Sequence, residues 1–129
     1  MDDRALLVEA QAARANAYAP YSQFPVGAAL LARSGKVYRG VNVENASFGV
    51  TVCAERAALF TAVAAGERLF EAIAVVAESE GPVRPCGACR QALAEFGTDL
   101  RVVMGNTAGE VSVSALSILL PSGFRFKKR

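Results

Sequence analysis

The chain has 129 residues, a formal net charge of only +2 and an apolar fraction of 53%. That length suits one domain spanning residues 1–129, and so small a charge gives no basic field for nucleic acid. No apolar run approaches the ~18 residues that span a bilayer, and the acidic start "MDDRALLVEA" has no signal-peptide pattern, so the expectation is a soluble, cytoplasmic protein with no nucleic-acid or membrane partner.

"DDRALLVEAQAARANAYAP" reads as an amphipathic helix, with Asp2 or Asp3 capping its first turn and Pro20 ending it. Two short apolar runs follow, Val26 to Ala32 and Val37 to Val43, and the polar "RSGK" between them makes them a hairpin. "ENASFGVTV" is a loop. "AERAALFTAVAAG" is the clearest helix, with Gly66 where a C-terminal cap belongs. Ala72 to Ala77, "AIAVVA", is a continuous apolar run that suits a strand buried on both faces. "CGACRQALAEFG" reads as a helix, "LRVVM" and "VSV" as strands, and "ALSILL" as a short helix capped by Ser114. Alternating helices and strands imply crossovers onto a mixed sheet. The predicted fold class is α/β, a three-layer α/β/α sandwich with about five strands.

The chemistry sits in two short motifs, "CAE" at Cys53–Glu55 and "PCGAC" at Pro85–Cys89. Alone, the C-x-x-C is ambiguous between a redox pair, half of a zinc site and two buried thiols. In a reducing compartment, three cysteines do not suggest disulfide staples. The chain has no histidine and no fourth cysteine. A tetrahedral zinc held by Cys53, Cys86 and Cys89 would therefore leave its fourth position to water, the pattern of a catalytic zinc. Glu55 could in principle close the site, but beside a water it is more useful as a proton carrier. All three cysteines lie at predicted helix starts, where unpaired N–H groups and the dipole favour thiolates. Three thiolates still over-neutralise Zn²⁺. Arg56 and Arg90, each directly after a motif, are candidates to compensate that charge.

C-A-E followed about thirty residues later by P-C-x-x-C resembles the zinc-dependent nucleobase deaminases. "AYAPYSQFPVGAAL", "GVNVENASFG", "CAERAALF" and "PCGACRQ" extend the likeness, from about Tyr18 to Pro121, to the small homotetrameric cytidine deaminases. The resemblance implies hydrolytic deamination of cytidine and deoxycytidine in pyrimidine salvage, with one Zn²⁺ per subunit. It assigns attack on C4 to zinc-activated hydroxide, proton shuttling to Glu55, and a hydrogen bond to the thiolates to Arg56. It implies that Asn42 and Glu44 hold the sugar 3′-hydroxyl, that Phe24 packs on the pyrimidine, and that Ala54 offers backbone groups to the cytosine edge. Ala46, Phe48 and Phe124 complete the implied substrate-binding set, in sites finished by neighbouring subunits of a homotetramer. An alanine-rich, apolar composition agrees with an oligomer.

Two departures concern the sugar end and rim. Phe48 stands where the family carries a tyrosine, and the tail "LLPSGFRFKKR" is basic where the family is acidic. Phe124 could take the capping role. A blasticidin-S deaminase-like enzyme is the nearest alternative, since its C-terminus is similar, but Glu44 favours a ribonucleoside. A polynucleotide deaminase would want a basic channel and stacking aromatics, and a non-catalytic zinc module would not need an open position next to Glu55.

Overall fold

The structure, a computed structural model, describes residues 1–128; Arg129, the last of the basic tail, lies outside the described residues. Five strands form one mixed sheet in the order β2-β1-β3-β4-β5. They are β1 (Val26–Ala32), β2 (Val37–Val41), β3 (Phe70–Ala77), β4 (Arg101–Asn106) and β5 (Val111–Ala115). Only β3 and β4 run parallel, and the helix between them is the crossover that a parallel pair requires. Strands β1 and β2 form the expected hairpin, and β5 returns antiparallel to β4.

Helices cover both faces. The first, α1 (Asp3–Arg14), packs alone on one side, burying Leu6 and Ala10 against Ala29, Leu31, Ala74, Val76 and Val103. Asp2 caps it as predicted, accepting from the Ala5 amide at 2.8 Å. It ends at Arg14, well before Pro20, because the next segment is drawn to the sheet: Tyr18 N donates to Asn42 O and Glu44 N donates to Tyr18 O, both at 2.9 Å.

On the other side lie α2 (Ala54–Ala64), α3 (Gly87–Ala94) and α4 (Leu116–Leu119). Their core contains Leu59, Ile73, Val75, Leu93, Val102 and Leu116. Helix α2 buries Ala54, Ala58 and Ala62, a small-residue stripe that brings its backbone down onto β2. The closest approach is at Gly40, where any Cβ would run into Ala54 O and Ala58 N. Gly27 does the same for α1, since a Cβ there would meet Ala10 O and Arg14 N.

Other differences from the sequence reading are local. The second strand stops at Val41, and Val43 instead makes isolated bridges to Tyr18 and Val52. The predicted loop contains a 3-10 turn, Phe48–Val50. Ser114 does not cap α4; it lies in β5 opposite Val102, and Ala115 holds the cap position. Among the described residues, no helix is long and apolar enough to cross a membrane.

Candidate active site

The N-termini of α2 and α3 face one another, and they bring the two motifs together. Cys53 is the N-cap residue of α2, Cys86 is the N-cap residue of α3, and Cys89 lies in the first turn of α3. Their sulfurs all lie within 4.8 Å of one another, with Cys53 and Cys86 Sγ 3.7 Å apart. Tetrahedral zinc with Zn–S bonds of about 2.3 Å requires sulfurs about 3.8 Å apart. The triangle therefore has the size and the soft donor set for zinc, and none of the three thiols is in a disulfide.

Electrostatics favour charge on one of these sulfurs, that of Cys53. The Cys53 thiol is pushed down to about 5, first by the hydrogen bond from Cys89 and then by the Arg56 guanidinium. Cys89 is held up because it donates that bond and is buried. Arg56 Nη2 donates to Cys53 Sγ at 3.4 Å, and Cys86 Sγ accepts from Cys89 N at 3.5 Å. The Nε of Arg56 is buried without a hydrogen-bond partner among the described residues. A buried N–H in that state is unusual. It leaves the guanidinium with donor capacity to spare beside the Cys53 sulfur, on which charge is favoured.

Glu55, two residues after Cys53, is 4% exposed. It lies on the face of α2 that also buries Leu59 and Ala62, so the helix presses a carboxylate into its apolar stripe. Burial pushes its pKa up to about 7. A carboxyl near that value can both take and give a proton at neutral pH.

A cleft of about 250 Å³ opens onto this cluster, lined by Phe24, Asn42, Glu44, Cys53, Ala54 and Glu55 among others. With Cys86, seven sequence-predicted positions thus share one cavity. Asn42, 8% exposed, is already committed to the frame: its Oδ1 accepts from Val26 N at 2.8 Å and its Nδ2 donates to Phe24 O at 2.9 Å. One N–H and one lone pair remain for a ligand hydroxyl. Glu44 accepts from the Ser22 hydroxyl and from the amides of Tyr21 and Ser22 at 2.9 and 3.0 Å. The bond from the Ser22 hydroxyl is the main reason its carboxyl sits below its ordinary range.

Other predicted positions lie outside the cleft. Arg90 does not reach a sulfur; its Nε donates to Pro85 O at 2.8 Å and its Nη1 to Leu119 O at 2.7 Å, so it ties the approach to Cys86 to the end of α4. Ala46 is exposed and does not line the cleft. Phe48 is 74% exposed and packs edge-on against Tyr21, ring centres 5.8 Å apart. Phe124 is 71% exposed, with its carbonyl accepting from Gln91 Nε2. Sequence reasoning missed Ser22 and Arg84, both of which line the cleft. Ser22 belongs to a motif already singled out, and Arg84 stands two residues before Cys86, so each was legible as a neighbour rather than as a donor.

The family model for the cytidine and deoxycytidylate deaminase zinc-binding region matches residues 1–106. A cytidine deaminase of Sporosarcina psychrophila is 51% identical over 96% of this chain and 92% of its own. One from Halalkalibacterium halodurans is 54% identical over 96% and 95%. The crystal structure of a cytidine deaminase from Burkholderia pseudomallei superposes with a TM-score of 0.94 at 56% identity, covering 96% of this chain and all of that one.

Proposed function

This chain belongs to the cytidine and deoxycytidylate deaminase family, and we propose that it hydrolyses the C4 amine of cytidine and deoxycytidine, giving uridine or deoxyuridine and ammonia. The observation that carries the reading is the zinc-sized triangle of Cys53, Cys86 and Cys89, which meets the cleft at Cys53 and Cys86 beside the buried Glu55. Zinc held by these three sulfurs supplies the Lewis acidity that makes water a nucleophile at neutral pH.

The residues divide the remaining work. Arg56 bonds Cys53 and offsets the charge of the thiolates. Glu55 takes a proton from the attacking water and gives it to N3 of the pyrimidine, then takes the second proton from the new C4 hydroxyl and gives it to the amine, which leaves as ammonia while the C4 carbonyl forms. Phe24 packs on the ring, and the backbone at Ala54 orients the cytosine edge. The free N–H of Asn42 and the carboxylate of Glu44 hold the sugar hydroxyls. The reaction suits pyrimidine salvage, in one domain over residues 1–129. We assign the exposed Phe48 and Phe124, together with Ala46, to the site of a neighbouring copy in a homotetramer. Support comes from the aromatic surface that a single chain leaves uncovered, including Phe60 at 53% and Phe126 at 81% exposure.

The deciding experiment is Glu55→Gln, which keeps the shape and removes the proton carrier. General acid–base catalysis alone is worth ~10²–10⁴-fold, and Glu55 acts in several successive steps. Turnover of cytidine is expected to fall by more than that while zinc content stays at one per chain. Normal turnover in the variant would overturn the assignment. Preference of the wild-type protein for dCMP or blasticidin S over cytidine would overturn the substrate.

A further inference from the structure

Three polar side chains are buried among the described residues: Asn42, Glu55 and Asn106. The first two line the cleft. Asn106, 7% exposed at the end of β4, lies outside it, and the reaction above makes no use of it. Burying an amide is costly unless its groups are bonded, and Asn106 is well bonded. Its Oδ1 accepts from Ala108 N at 3.1 Å and Glu110 N at 2.9 Å, and its Nδ2 donates to Glu110 Oε1 at 2.9 Å. These three bonds stay inside the turn between β4 and β5. The fourth does not: Nδ2 also donates to Ser79 O at 3.0 Å.

Ser79 lies at the start of the loop that leads from β3 to α3. One backbone bond holds the same loop to β4, Val83 N to Gly105 O, and another, Thr107 N to Ala77 O, ties the residue after β4 to the last residue of β3, both at 3.2 Å. The loop supplies Val83 and Arg84 to the wall of the cleft and ends at Cys86. Cys86 is the exposed member of the cysteine set, whereas Cys89 is buried in α3 and Cys53 is half-buried and bonded by Arg56. Two restraints therefore set the position of Cys86: the buried Pro85 beside it, whose carbonyl Arg90 holds, and the loop that leads there.

We propose that Asn106 is a positioning residue: through its bond to Ser79 O it fixes the loop that carries Val83, Arg84 and Cys86. It thereby sets both the grip of the cysteine site on zinc and the fit of the cleft wall to substrate. This rests on Cys53, Cys86 and Cys89 being the metal ligands.

Asn106→Asp tests it, because the carboxylate keeps the acceptor for Ala108 and Glu110 N–H and loses both Nδ2 bonds, the one to Ser79 O on the loop and the one to Glu110 Oε1 inside the turn. Zinc release from the loaded protein to a chromogenic chelator is followed at a temperature well below unfolding. The expected result is release about fivefold faster than wild type, equivalent to ~1 kcal/mol, the size of the one lost hydrogen bond that reaches the loop. The KM for cytidine should rise by more than kcat falls. Asn106→Ser carries the same expectation without a second carboxylate beside Glu110, and it serves if the aspartate variant does not fold. Tyr38→Phe is the control. It removes a 2.8 Å bond to Glu67, beyond the opposite end of α2, and should release zinc at the wild-type rate. A lowered melting temperature with unchanged zinc release and KM in the Asn106 variants would overturn the proposal and reduce Asn106 to a turn residue. A wild-type protein that binds no zinc would overturn the metal reading beneath it.

Discussion

Gly40→Ala puts the positioning of the site by the fold to a direct test. Gly40 lies in β2 opposite Ala28, under the first turn of α2. An added methyl would overlap Ala54 O and Ala58 N and stand 2.9 Å from Ala58 Cα. All three are backbone atoms, so no side chain can swing aside to relieve the clash. Replacing a strand glycine by alanine ordinarily stabilises by ~0.4–1 kcal/mol through the unfolded chain. Overpacking costs about 1–3 kcal/mol, and reaching normal contact distance requires α2 to move by on the order of 1 Å. The net expectation is a loss of about 1–2 kcal/mol, or a drop of roughly 3–8 °C in melting temperature. The same shift displaces Cys53, Ala54 and Glu55 from Cys86 and Cys89, which sit on another helix. A displacement of about 1 Å can cost ~10²-fold in rate. Calorimetry and kcat/KM for cytidine, measured on the same preparation, read both effects. An unchanged or higher melting temperature with full turnover would refute the close-approach reasoning.

Arg56→Ala removes the guanidinium bond to Cys53, and zinc affinity is expected to fall ~10–100-fold in chelator competition, with Arg56→Lys recovering only part because it lacks the planar fork. Asp2→Ala removes the cap bond to Ala5 and should cost about 1 kcal/mol in denaturant unfolding while leaving the deamination rate unchanged, since α1 packs on the opposite face of the sheet from the cleft. Glu67 accepts from Ser34 Oγ and Tyr38 OH, which hold its carboxyl below the ordinary range. A depressed carboxylate pKa stabilises above the unfolded value and loses that contribution as pH falls through the folded one. The melting-temperature gap between wild type and Ser34→Ala should therefore be open near pH ~7 and close towards pH ~3.

How much the sequence revealed depended on how local each cause was. The run "AIAVVA" announces a strand buried on both faces because its neighbours in the chain suffice to say so, and β3 is that strand. The hairpin, the main helices and the cap at Asp2 were legible for the same reason. Residues 15–20 were not. Their helical periodicity is real, but Tyr18 is held by Asn42 and Glu44, partners more than twenty residues away. Ser114 likewise looks like a cap in sequence and is a strand residue because Val102 lies opposite it. The cysteines and Glu55 could be picked out because residue type and count restrict their chemistry before any fold is known. Arg90 could not be resolved that way. Adjacency to Cys89 suggested a sulfur partner, whereas its guanidinium is occupied by the carbonyls of Pro85 and Leu119.

The three buried polar side chains extend the same reasoning. A helix chosen only for stability would not carry a glutamate in line with Leu59 and Ala62, where desolvation disfavours its charge. Local departures of that kind are what a functional site requires of a fold. Glu55 shows itself in sequence because it sits between a cysteine and an arginine. Asn106 does not, because "GNTAGE" reads as an ordinary turn. What separates Asn106 from a turn asparagine is one bond, to Ser79, on the loop that delivers Cys86. On that proposal, the site has two layers of different visibility. The proposed ligands are set by residue type and can be read along the chain, while the groups that would hold the loop to Cys86 in place are set by contacts between β4 and the approach to α3.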